Sequence, residues 1–167
     1  IVDDDKVDAS NLQRQIAHGD GDIGENKAVS AGAAITAVNP TARVHAITQR
    51  LAGDALNQQV AAADLVIDAT DNAQTRYLLN RSCWQHGKTL VSGAAVRWEG
   101  HVSVFSPSVL SSPCYQCLYP DTEADAQLNC ADNGVISPLV GVIGSMQALE
   151  AIKCLTGVGQ SLVGAVL

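Results

Sequence analysis

Five short strings hold the residues of this chain that could do chemistry. In the first, Asp3-Asp4-Asp5 follows the apolar pair Ile1-Val2. A carboxylate at the tip of the second strand of a doubly wound sheet accepts hydrogen bonds from a ribose. Asp3 stands at that place, with a solvated acidic loop as the alternative. The second string runs Ser10-Asn11-Leu12-Gln13-Arg14-Gln15, with Lys27 beyond it. Arg grips phosphate oxygens through its planar fork, Lys adds a point charge, and Asn and Gln add neutral donors. Two cations near a ribose-binding carboxylate could hold a triphosphate; otherwise they are surface charges.

The third string is Asp68-Ala69-Thr70-Asp71-Asn72, after a predicted strand, where open α/β sheets bind ligands. Asp71 could hold Mg²⁺ together with phosphate oxygens, and Asp71 or Asn72 could also cap the next helix. The fourth, Cys114-Tyr115-Gln116-Cys117, has the spacing of half a tetrahedral zinc site. The 167 residues contain no second C-x-x-C, so a redox dithiol and two inert thiols are its alternatives. Cys130 is the fifth candidate, a few residues before the last predicted helix. A helix N-terminus would lower its pKa and make it a nucleophile; a small buried hydrophobe is the alternative. Cys83 and Cys154 fall within helical patterns and read as core. The four histidines have no metal-like spacing, and no G-x-S-x-G is present.

Alternating elements must position these strings. Ile1-Val2 reads as the tail of a buried parallel strand. Glu25 to Val38 is Ala-rich and helical, stopped by Asn39-Pro40. Ala42 to Ile47 alternates like a strand, and Ala55 to Ala62 is a short helix. Asp64 to Asp68 encloses Leu65-Val66-Ile67, a strand predicted to be buried on both faces. Asn72 to His86 is a helix closed by Gly87, followed by strands at Thr89 to Ser92 and His101 to Phe105. The last helix takes Ser137 as N-cap, Pro138 as its first residue and Gly157 beyond its end. Its stripe Leu139, Val142, Met146, Leu149 and Ile152 reads as core or dimer interface. Between them, Ser106 to Gln127 is irregular, and an irregular stretch of that length is usually functional.

This order predicts an α/β fold: a Rossmann-like, mostly parallel sheet with helices on both faces, and antiparallel strands near Val96 to Ser106. No G-x-G-x-x-G is present, so the fold either lacks that loop or the chain starts after it. Apolar residues at 47% allow one well-buried domain and exclude a disordered chain. Ten Lys and Arg against 17 Asp and Glu give a net charge of −7, which argues against nucleic acid and anionic membranes as partners. The apolar run Gly134 to Leu155 carries Pro138, Gln147, Glu150 and Lys153, and so reads as a buried helix. Five cysteines, an odd number, without a secretory signal pattern predict a reducing cytoplasm.

Taken together, the strings resemble the ThiF/MoeB/HesA family, the bacterial relatives of the ubiquitin-activating enzymes. The matching stretches are IVDDDKVDASNLQRQ, Asn26-Lys27, DATDN, SGAAVRWEGHVSVF, CYQCLYPD and NCADNGVISPLVGVIGSMQALEAIKCLTG, in family order over nearly the whole chain. The resemblance implies ATP-dependent adenylation of the C-terminal Gly-Gly carboxylate of a ubiquitin-like sulfur carrier, in molybdopterin or thiamin biosynthesis. It implies Asp3 as ribose ligand, with Ser10, Asn11, Leu12, Gln13, Arg14 and Lys27 lining the nucleotide phosphates. It implies Asp71 as the magnesium ligand, with Asn72 beside it, and Cys114 and Cys117 as the first half of a structural zinc site. Cys130 resembles the cysteine that can bond the activated carrier. The family's Gly-rich loop lies before residue 1 and its second C-x-x-C after Leu167. The chain is therefore expected to be a single adenylation domain truncated at both ends. A homodimer is expected from the resemblance alone. The competing readings are an inactive scaffold that docks a carrier, and a nicotinamide-dependent oxidoreductase on the same fold.

Overall fold

The computed structural model describes residues 1–120 and 134–167. It contains two compact units, 1–51 and 52–167. Cys130 lies outside the described residues.

The first unit is built around α1, Lys27–Val38. Asn26 caps it: its side-chain oxygen accepts from the Ala28 and Val29 N–H groups at 2.9 and 3.2 Å. The helix ends at Asn39, before Pro40, as predicted. Two 3-10 turns, Ala9–Asn11 and Asp20–Asp22, precede it. The predicted strand Ala42 to Ile47 is reduced to one parallel bridge, Val2 to Ile47. Alternation persists in its burial, with Ala42 and Val44 more covered than Arg43 and His45. Ile1 and Val2 are half-exposed rather than buried. The core of this unit is small, with Val7 and Ala28 fully covered. An open apolar groove of about 620 Å³ runs along α1 between Val29, Ala33, Ala37 and Val44.

In the second unit, α2 (Gly53–Ala62), β1 (Leu65–Asp68), α3 (Ala73–Gln85), β2 (Thr89–Val96), β3 (Glu99–Phe105), α4 (Tyr115–Leu118) and α5 (Ser137–Thr156) follow in order. The described strands form a mixed sheet, β1-β2-β3. β1 and β2 are parallel because α3 crosses between them, pairing Leu65 with Thr89 and Asp68 with Ser92. β2 and β3 are antiparallel because only Arg97 and Trp98 separate Val96 from its partner Glu99. The described strands thus hold one parallel and one antiparallel pair, and the antiparallel pair lies where it was placed.

Helices cover both faces of this sheet. Leu90 and Phe105 pack with Val60, Cys83 and Tyr115 from α2, α3 and α4. Val91 and Val104 pack against Ala151 of α5, with Cys154 at the margin. Fully buried Leu90, Val91, Val102 and Val104 each contribute about 1.5–3 kcal/mol of hydrophobic stabilisation. Ile67 of β1 is half-exposed, so that strand is not covered on both faces.

α5 is long and apolar enough to cross a membrane by length and composition. It packs on the sheet through Ile143, Gln147, Glu150 and Ala151. The predicted stripe points elsewhere: Val142, Leu149 and Ile152 are 53%, 56% and 57% exposed and are not core. The sheet accepts the other face because Gly93 and Gly100 leave room for Gln147 and Ile143. The N-cap of α5 is Ile136 rather than Ser137, since Ile136 N–H still bonds the Arg97 carbonyl. Gly157 closes the helix in the left-handed region. Beyond it, the tail runs along the outer edge of β3, where Val102 and Leu167 exchange backbone hydrogen bonds. Glu150 accepts from the Leu162 N–H and pairs with Lys153, holding that tail in place.

Candidate functional site

In the first unit, the helix N-terminus and the acidic loop are tied into one knot. Asn26 caps α1 with its oxygen and donates from its Nδ2 to the Asp3 and Asp5 carbonyls at 2.9 and 3.1 Å. The Lys27 N–H bonds the Asp5 carbonyl, and its ammonium pairs with the Asp5 carboxylate at 2.8 Å. Asp3 is half-buried, and its Oδ1 accepts from the Asp5 N–H. Asp8 caps the turn that carries Ser10 and Asn11. Hydrogen bonds from the Ser10 side chain and backbone, helped by the Lys27 charge, hold its carboxyl below the usual carboxylate range. The Arg14 guanidinium folds back onto the Ser10 carbonyl at 3.1 Å. Leu12 is half-buried and Gln13 exposed. Asp3, Asp5, Asn26 and Lys27 are thus brought together, and Ser10, Asn11 and Arg14 share a neighbouring turn.

In the second unit, Asp71 is exposed at the carboxyl end of β1. Asn72 caps α3 by accepting from the Thr75 N–H at 2.9 Å, so its oxygen is committed to the helix. The preceding residues are pinned. Asp68 is fully buried and accepts from the Thr70 N–H and hydroxyl, and Arg76 donates to the Thr70 carbonyl. One carboxylate oxygen donor on an exposed turn suits magnesium, which completes its shell with phosphate oxygens and water.

Cys114 and Cys117 sit at the start and within the short helix α4, their sulfurs 3.3 Å apart. Buried Asn80 of α3 holds this turn: its Oδ1 accepts from the Tyr115 N–H at 2.8 Å. Burial pushes the Cys114 thiol up. Hydrogen bonds involving Cys117, Asn80 and Gln116 outweigh that and hold it below its ordinary value. Two adjacent thiols are two of the four ligands that a structural zinc would need. By contrast, burial first, and then the Asp68 charge, push Cys83 up to about 12.

Several partnerships in these arrangements escaped the sequence reading. Asn26 carries a visible signal, an Asn opening an Ala-rich helical run. Asn80 lies three residues from both Tyr77 and Cys83, on the buried side of α3, where a polar residue needs a partner. Gln147 and Asp68 gave no signal of partnership.

A model of the ThiF family matches residues 1–167. The chain is 42% identical over its whole length to the SAMP-activating enzyme E1 of Haloferax volcanii, spanning 61% of that protein. It is also 42% identical over its whole length to the molybdopterin-synthase adenylyltransferase of Salmonella typhimurium, spanning 66%. It shares 42% identity with the sulfur carrier protein ThiS adenylyltransferase of Escherichia coli, over 95% of this chain and 62% of that protein. The chain therefore spans less than two thirds of these relatives. The crystal structures of PaaA and of E. coli MccB solved with ATP share its fold, each with a TM-score of 0.78 at 18% identity, covering 99% and 98% of this chain and about half of each. With its family model matched from the first residue to the last, the chain belongs to the ThiF family.

Proposed function

We propose that the protein is an adenylyltransferase that uses ATP to activate the C-terminal Gly-Gly carboxylate of a ubiquitin-like sulfur carrier. The observation that carries this reading is 42% identity, over 95% or more of the chain, to two adenylyltransferases of sulfur-carrier systems. In this reading Asp3 accepts from the ribose hydroxyls. Arg14 and Lys27 neutralise phosphate charge, with Ser10, Asn11, Leu12 and Gln13 lining the same turn. Lys27 exchanges its pairing with exposed Asp5 for a phosphate oxygen, a small cost because such surface pairs contribute under about 1 kcal/mol. Asp71 would hold magnesium, which when bound would neutralise charge at the α-phosphate. The carrier carboxylate then bonds that phosphorus, pyrophosphate departs, and the product is an acyl-adenylate.

Cys114 and Cys117 are proposed as half of a structural zinc site, and Cys130 as the thiol that bonds the activated carrier. The protein is proposed to work as a cytoplasmic homodimer. The string SGAAVRWEG resembles the molybdopterin branch, and a carrier of that branch or of the thiamin branch would serve. Isotope exchange between pyrophosphate and ATP tests the reading. Exchange is expected only when a carrier ending in Gly-Gly is present, and should fall about a hundredfold in Asp71→Ala. Carrier binding without exchange, for carriers of both branches, would overturn it.

A further inference from the structure

We propose that Asp68 and Gln147 are positioning residues whose joint task is to fix the turn that presents Asp71; its functional weight rests on the reading of Asp71 as a metal ligand. Asp68 is completely buried at the end of β1, where an ionisable side chain is costly unless its oxygens are satisfied. Both are. Oδ1 accepts from the Thr70 N–H at 2.9 Å and the Thr70 hydroxyl at 2.7 Å. Oδ2 accepts from the Ser92 hydroxyl at 3.1 Å, on the strand paired with β1.

The same residue is held from the opposite face of the sheet. Gln147 of α5 reaches through and donates its Nε2 to the Asp68 carbonyl at 2.6 Å, and to the Val91 carbonyl at 3.3 Å. It passes over Gly93, where an added Cβ would stand 2.4 Å from the Gln147 Cδ. Gly93 therefore serves as the opening for this strut. On the far side of the turn, Arg76 holds the Thr70 carbonyl and Asn72 is locked as the cap of α3. Residues 68, 70 and 72 are each held by side-chain bonds, and Asp71 stands exposed among them. A network with every member satisfied rigidifies what it touches, and what it touches here is the backbone on both sides of Asp71. A buried carboxylate serving packing alone would not need to grip the residue next to an exposed acid.

The test uses hydrogen exchange of the 69–72 segment, Mn²⁺ binding in the presence of ATP, and thermal stability, in the full-length protein. Asp68→Asn keeps the acceptor for Thr70 and should stay within about threefold of wild type in exchange and Mn²⁺ affinity. Asp68→Ala should speed exchange of 69–72 about tenfold and weaken Mn²⁺ by a similar factor, with β1 and β2 amides unchanged. Thr70→Val, which removes one donor only, should show a smaller shift of both readouts in the same direction, and covers the case in which Asp68→Ala fails to fold. Gln147→Leu should act like Thr70→Val. If exchange at 69–72 does not change, or rises equally across β1 and β2, the proposal is wrong. If Asp68→Asn loses Mn²⁺ while its exchange stays at the wild-type rate, the charge itself meets the metal and the positioning role fails. If wild type binds no Mn²⁺ while Asp68→Ala still loosens 69–72 alone, the turn-fixing role stands and the metal reading of Asp71 falls.

Discussion

Asn26 does two jobs that substitution can separate. Its oxygen satisfies the Ala28 and Val29 N–H groups at the start of α1, and its nitrogen ties that start to the Asp3 and Asp5 carbonyls. Loss of an N-cap costs about 1 kcal/mol. Each of the two tying bonds contributes about 0.5–1.5 kcal/mol net. Asn26→Ala should therefore destabilise the protein by about 2–4 kcal/mol. Asn26→Asp keeps the cap and gains slightly from the helix dipole. It has no side-chain N–H, however, and sets a carboxylate against two carbonyls. It should lose about 1–3 kcal/mol, nearly all of it from the tie. Urea denaturation measures both variants. ATP-dependent exchange measures the consequence, since the acidic loop and Lys27 would no longer be held in register, and the KM for ATP should rise severalfold in both. An Asn26→Asp protein with wild-type stability and wild-type KM would show that the tie contributes nothing, and the reasoning would be refuted.

Other expectations follow from individual contacts. Gly93→Ala should destabilise by about 1–3 kcal/mol through overpacking against Gln147, and Gly93→Ala combined with Gln147→Ala should recover part of the loss in a denaturation double-mutant cycle. Burial first, then the Arg76 charge, lowers the His101 pKa from its ordinary 6.5, against an opposing pull from Asp68. The unfolded chain then binds more protons below about 6.5, so stability should fall as pH drops through that window toward the folded value, and His101→Gln should flatten the slope. Cys83, with a pKa of about 12, exposes only about one part in ten thousand as thiolate at pH 8. It should resist iodoacetamide in the native protein and react at once in urea, as mass spectrometry of the alkylated peptide would show.

Helices were the most legible elements, because their ends carry chemical punctuation. Asn39-Pro40, Asn72, Gly87 and Gly157 each mark a boundary that the structure keeps to within a residue or two. Strand pairing was less legible. The pattern at Ala42 to Ile47 is a strand pattern, yet only Ile47 finds a bridging partner, Val2. Pairing depends on what lies alongside, which a local pattern does not contain. The face that α5 turns to the sheet was less legible for a related reason: of the two expectations for its apolar stripe, core or dimer interface, only core is set aside. Its most apolar stripe faces outward, while Gln147 and Glu150 face the sheet. Hydrophobicity ranks residues by their own side chains, whereas Gln147 is buried because two distant carbonyls and a glycine make room for it. At the candidate site, the strings that could meet a ligand were visible from residue type. The bonds by which Asn26, Asn80 and Asp68 tie them to other elements were not, since those partners lie 21 to 35 residues away.

The tail beyond Gly157 has a further consequence. By lying along the outer edge of β3, it occupies backbone donors and acceptors that would otherwise be a template for a foreign strand. Its hold depends on Glu150 and Lys153, which grip residues 160 and 162 from α5. A substitution at either residue acts on colloidal behaviour as much as on folding free energy. The edge would open while the rest of the sheet stayed intact, and copies of the protein would begin to stack.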